Sequence, residues 1–247
     1  MTVPESIRPF QRQAGQRPFV LGHRGARAHC PENTMLAFER ALADGADGVE
    51  LDVRMSADSE LFISHDDHIQ TTQGAVSLRS LSRAQVQALS TKSGEPVPTL
   101  REVLTFQAKT GCYMNVELKG DVPAPVWMAK RAASLIRQHG GYRIVLSSFE
   151  PRQVFFLARQ LPDVPVALLF DATQQLMLRS LPMRWLGAHA AHPQATALDA
   201  ALMSRLRERV GLINTWTVNT PQEAKRVAAL GVDAIVTDDP KLILSAL

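Results

Sequence analysis

Only two cysteines occur among the 247 residues, Cys30 and Cys112, and they do not form a C-x-x-C pair. That argues against a disulfide framework or a thiolate zinc site, and reduced thiols are expected. Aromatic residues make up 6% of the chain, too few to suggest a platform for stacked bases. The basic residues are scattered rather than run together, so the formal charge of +3 leaves no nucleic-acid footprint. A locally basic pocket for a phosphate group remains compatible with it. No apolar run approaches the roughly 20 residues that span a bilayer, so no membrane span is expected. The first eighteen residues are polar and lack the apolar centre of a signal peptide. A cytoplasmic protein is the resulting expectation. A G-x-G-x-x-G turn is also missing, which removes the main support for an open doubly wound sheet.

What is present is a regular alternation. Short apolar, strand-like runs occur at residues 18–21, 48–53, 112–118, 143–146, 164–170, 185–190, 211–218 and 233–236. Helical spacing follows them at 34–43, 99–108, 125–138, 151–160, 173–180, 196–209, 221–230 and 240–247. Thr99 with Glu102 reads as a capping box, and Pro151 as a first-turn proline. A short arm at 61–64 precedes residues 65–98, which are rich in Ser, Thr, Gln and Gly and carry one helical stretch, 82–89. Such a segment reads as an insertion over one end of the fold. With the arm set aside, the count is about eight β/α units, the number that closes a TIM (β/α)8 barrel. The chain reads as one barrel domain over 1–247 with a flexible terminus at 1–17.

In such a barrel the chemistry sits at the C-terminal ends of the strands. The first strand ends in Gly22-His23-Arg24-Gly25-Ala26, a sequence suited to an anion pocket or to an ordinary tight turn. The second carries Glu50-Leu51-Asp52, and alternation along a strand turns both carboxylates to one face. Two inward carboxylates need a cation between them, and a hard divalent ion with oxygen ligands fits. Glu117-Leu118-Lys119 repeats the arrangement. Glu117 can complete a three-carboxylate site and Lys119 can meet a phosphate as a point charge. His65 follows the short arm and offers, with His23, a neutral-pH acid/base pair. Phe149 and Trp216 lie at later strand ends, Trp216 reading equally as pocket wall or barrel core. Asp238 and Asp239 read as caps of the last helix. His192 is at most a rim residue.

These residues resemble the glycerophosphodiester phosphodiesterase family. The resemblance rests on His23-Arg24-Gly25-Ala26, Pro31-Glu32-Asn33-Thr34 and Glu50-Leu51-Asp52-Val53, and continues through His65-Asp66, Glu117-Leu118-Lys119, Ser147-Ser148-Phe149 and Trp216-Thr217-Val218-Asn219. It implies a TIM barrel with a small insertion after the second strand. It implies hydrolysis of glycerophosphodiesters, the deacylated phospholipids, to glycerol 3-phosphate and an alcohol. It implies a divalent cation, Mg2+ or Ca2+, on Glu50, Asp52 and Glu117, with His23 and His65 as acid and base and Arg24 and Lys119 on the phosphate. The alcohol half is expected outward, near Phe149 and Trp216. Gln70 departs from the family pattern, which often has Arg before the Thr71-Thr72 pair. Two other readings stand beside this one: an enzyme that hydrolyses or cyclises lysophospholipids, and an inactive phosphate-binding barrel.

Overall fold

A computed structural model describes residues 5–173 and 183–247. Among these, eight parallel strands close on themselves in chain order. They are β1 (Phe19–His23), β2 (Gly48–Met55), β6 (Tyr113–Leu118), β7 (Ile144–Ser148), β8 (Val166–Phe170), β9 (Ala190–Pro193), β10 (Leu212–Thr215) and β11 (Ala234–Thr237). β1 pairs with both β2 and β11, which shuts the ring. β3 (Leu61–Ile63) runs antiparallel along the end of β2 and is the short arm.

Each strand sends alternate residues to opposite faces. Val20, Val49, Leu51, Val116, Leu146, Leu168, Ile213 and Ile235 join one large buried cluster with the surrounding helices. The inward positions differ from end to end. At the base, Val145, Ala167, Ala190 and Leu212 form a separate apolar cluster. Towards the C-terminal mouth the interior turns polar, with Asn115, Ser147, His192 and Asn214 all buried. The helices begin where the sequence predicts caps. Thr99 and Glu102 form a reciprocal capping box before Leu100–Thr110, worth about 1 kcal/mol. Thr220 caps Pro221–Leu230, which ends at Gly231 in a left-handed turn.

Several expectations need correction. Residues 5–10 form a 3-10 turn rather than a loose terminus. Ile7 and Phe10 are buried in the basal cluster, closing the bottom of the barrel. Their apolar character has meaning only against strands more than a hundred residues away. The strand expected at 185–190 is a helix, Met183–Leu186, followed by β9 further along. The strand was expected too early because its sequence, Ala-Ala-His-Pro, places small and polar groups inward instead of a hydrophobic run. The insertion contains a hairpin, β4 (His68–Thr71) with β5 (Gly74–Ser77), besides its short helix. Ile69, Leu78 and Val86 give it a small core of its own against Phe62. The helix expected at 173–180 lies, from residue 174, outside the described residues.

Candidate active site

His23 ends β1, and its Nδ1 lies 2.6 Å from Asp238 Oδ1 at the end of β11. Its Nε2 faces Glu50 Oε2 at 4.0 Å. If Nδ1–H donates to the carboxylate, the Nε2 lone pair points toward the carboxylate cluster. Burial acts against the Asp238 charge, but the His23 contact and Arg27 outweigh it and hold this carboxyl below its usual range.

Arg24 and Gly25 both take left-handed backbone conformations, φ 53° and 85°. The turn aims the Arg24 amide at Glu50 Oε2, 3.0 Å away. A Cβ at Gly25 would lie 2.5 Å from the Ala37 carbonyl carbon, so this close approach of loop to helix requires glycine. The Arg24 guanidinium donates to Glu32 Oε1 at 2.7 Å. Its Nε sits 3.1 Å from Asp52 Oδ2, close enough for charge attraction. The N–H itself is buried and aligned on no acceptor among the described residues.

Glu50 and Asp52 share the inner face of β2, and Asp52 is in register with Glu117 on β6. All three are buried, and one oxygen from each lies within 4.8 Å of the others. Asn33 Nδ2 donates to Asp52 Oδ2 at 2.9 Å. Lys119 Nζ reaches Glu117 Oε1 at 2.8 Å and Asp52 Oδ1 at 3.3 Å. Burial raises Asp52, yet Lys119 and Arg24 outweigh it and bring it below the usual carboxylate range. Burial and the Asp52 charge push Glu117 up to about 7. Burial, then Asp52 and Glu117, push Glu50 well above its ordinary value. On protein groups alone, two of the three carboxylates resist ionisation. An oxygen-only donor set whose repulsion Lys119 and Arg24 relieve only in part fits a hard divalent cation.

His65 follows β3. Arg54, buried on β2 and paired with Asp121, donates to the His65 carbonyl at 2.7 Å and so fixes this loop. The imidazole Nδ1 lies 2.8 Å from Asp66 Oδ1. Burial lowers the His65 pKa against the pull of Asp52, with Lys119 and Arg24 lowering it further. Phe149 and Trp216 stack edge-on with centroids 5.5 Å apart. Trp216 lies just past β10, not within it, and its indole donates to the His192 carbonyl at 2.8 Å.

The residues singled out from the sequence therefore gather at one mouth. Others were missed or misread. Asp238 holds His23 rather than capping a helix, while Asp239 alone caps Pro240–Leu244. One cap needs one acid, and the second acid at a strand end was the available signal. Asn33 and Glu32, quoted only as motif letters, hold Asp52 and Arg24. His192 is not on the rim but inside the barrel, where burial lowers its pKa to about 3 and Asn214 contacts its Nε2 at 3.0 Å. His23, Glu50, Glu117, His192 and Trp216 share an internal cavity of about 20 Å³.

Among the described residues no helix is long and apolar enough to cross a membrane. The sequence model of the glycerophosphoryl diester phosphodiesterase family matches residues 23–242. A glycerophosphodiester phosphodiesterase of Bacillus altitudinis is 30% identical over 236 residues, covering 90% of this chain and 94% of that protein. The crystal structure of a glycerophosphodiester phosphodiesterase from Agrobacterium tumefaciens matches with a TM-score of 0.74 at 26% identity, covering 92% of this chain and 99% of that one. A phosphodiesterase of Oleispira antarctica in complex with the product sn-glycerol-3-phosphate matches with a TM-score of 0.84 at 24% identity, covering 93% and 96% of the two chains.

Proposed function

The chain belongs to the glycerophosphoryl diester phosphodiesterase family and is a phosphoric diester hydrolase; on that premise we propose that it releases glycerol 3-phosphate by histidine acid/base chemistry beside a carboxylate-held divalent cation. The observation that carries this reading is the buried Glu50–Asp52–Glu117 cluster, with oxygens within 4.8 Å, flanked by Arg24 and Lys119. A divalent cation, Mg2+ or Ca2+, held there would supply Lewis-acid charge against the phosphoryl oxygens.

The remaining chemistry belongs to the side chains. Arg24 and Lys119 bind the phosphate and offset charge that grows on its oxygens in the transition state. The Arg24 guanidinium, held in place by Glu32 and Asp52, and Lys119, held by Glu117 and Asp52, support this as positive charges fixed at the mouth. His23 and His65 handle the two protons. One accepts the proton of the attacking hydroxyl, and the other delivers a proton to the leaving alkoxide. Attack by water gives glycerol 3-phosphate directly; attack by the neighbouring glycerol hydroxyl expels the alcohol and leaves a cyclic phosphate, which water then opens with the same pair. Asp238 positions His23, and the Arg54 contact positions His65. Trp216, with Phe149 against it, lines the space beside His23, Glu50 and Glu117.

The test is glycerol 3-phosphate release from glycerophosphocholine and glycerophosphoethanolamine with Mg2+, Ca2+ or EDTA. Release that EDTA abolishes supports the reading. Release that persists in EDTA removes the cation from it, and no release under any condition overturns it.

A further inference from the structure

The space around the site divides in two. The internal cavity is lined by His23, Glu50, Glu117 and Trp216. His65 instead lines an open groove of about 430 Å³, walled by residues 31–34, 63–66, 68–70, 91–93 and 95–97. The two share no residue. Arg24 stands between them, its amide on Glu50 and its guanidinium on Glu32 of the groove. Of the two spaces only the groove has room for an organic group, so a diester whose phosphorus sits at Arg24 and Lys119 can extend one half into it.

We propose that the groove takes the alcohol half of the substrate and favours alcohols that carry an ammonium group, with Glu95 as the counter-charge. This rests on the diesterase reading, and it moves the alcohol half away from Phe149 and Trp216. The groove's volume falls in the range of small-molecule sites and is ample for an amino alcohol. Its charged lining is three carboxylates, Glu32, Asp66 and Glu95, against one ammonium, Lys92, a formal sum of −2 (−3 + 1) with the histidines neutral. Glu32 is already held by Arg24 and Arg27, and Asp66 by His65. Glu95 is half-buried, and among the described residues no cation pairs with it. A half-buried carboxylate feels less solvent screening than an exposed one, so it attracts an ammonium more strongly. Arg24 and Lys119 offer positive charge to the phosphate, and Glu95 offers negative charge in the groove, which matches a substrate with a phosphate at one end and an ammonium at the other.

The experiment compares kcat/KM for glycerophosphoethanolamine with that for glycerophosphoglycerol, whose head group is small and uncharged. The ratio is measured for the native chain and for Glu95→Gln and Glu95→Lys, with thermal melts verifying that each variant folds. The ratio is expected to fall about threefold or more in Glu95→Gln and further in Glu95→Lys, with the differences shrinking at high salt. A ratio that Glu95→Lys leaves unmoved, in a chain active on both diesters, overturns the groove assignment alone. A native chain inactive on both diesters overturns the diesterase reading beneath it.

Discussion

His23 Nδ1 and Asp238 Oδ1 lie 2.6 Å apart, although 215 positions separate them in the chain. The contact joins the first and last strands where the barrel closes. It gives His23 one orientation and leaves its second nitrogen toward Glu50. The same contact sets the first prediction. Asp238→Asn can hold the ring but favours the other tautomer, so kcat is expected to drop by on the order of 10²-fold or more while KM changes little. His23→Ala should lose at least as much, and the double variant should lose no more than His23→Ala alone. Additive losses in the double variant would separate Asp238 from His23 function.

Metal removal should couple to pH. The Glu117 carboxyl is raised from 4.5 to about 7, and Glu50 is raised as well. A carboxyl raised in the folded state contributes stability below its unfolded pKa, and that contribution is lost as pH climbs through the folded value. In EDTA, the melting temperature is therefore expected to fall between pH 5 and 8, at about 2–4 °C per kcal/mol for a chain this size. Excess Mg2+ or Ca2+ should flatten that slope. Melts in EDTA that stay level over this window would contradict the repulsion at the carboxylate cluster. Asp52 acts with the opposite sign, since its lowered pKa stabilises above the ordinary carboxylate range and is lost only on further acidification.

The His65 titration should lie on the acid side of an ordinary imidazole, because burial lowers its pKa from 6.5. In a pH–rate profile of kcat/KM, the limb that belongs to His65 is expected below pH 6.5. Comparing native chain with His65→Gln identifies it, since the variant should lose that limb together with on the order of 10²-fold or more in rate. A native-like rate in the variant removes His65 from the mechanism.

Asn33 holds Asp52 through both its side-chain amide nitrogen and its side-chain carbonyl. Outer contacts of this kind typically change metal affinity by about 10–100-fold when removed. Asn33→Ala should weaken Mg2+ or Ca2+ binding by about that factor in calorimetry. Activity should be recovered in part at saturating cation. An unchanged affinity would assign Asn33 to loop structure only.

The sequence carried much of this directly. Glu50 and Asp52 on one strand, and Glu117 and Lys119 on another, are legible because side chains alternate along any strand with a period of two. Helix starts at Thr99 and Pro221 are legible because capping is a local matter between residues a few positions apart. The failures share a cause. β9 has no hydrophobic run, since its inward residues are the small Ala190 at the base and the polar His192 above it. Ile7 and Phe10 are single apolar residues in a polar stretch, and only the barrel base explains them.

By itself the sequence determined the number and order of the β/α units, the strand faces that carry carboxylates and the chemical types available at the mouth. Those follow from short-range periodicity and from residue chemistry. Only the tertiary structure decided which groups meet. Closing the ring brings Asp238 to His23, and the register of β2 against β6 sets Asp52 beside Glu117. The insertion's placement beside residues 31–34 opens a groove on the His65 side, and Trp216 lines a separate space with His23. These are distances between residues far apart in the chain, and no local pattern encodes a distance of that kind.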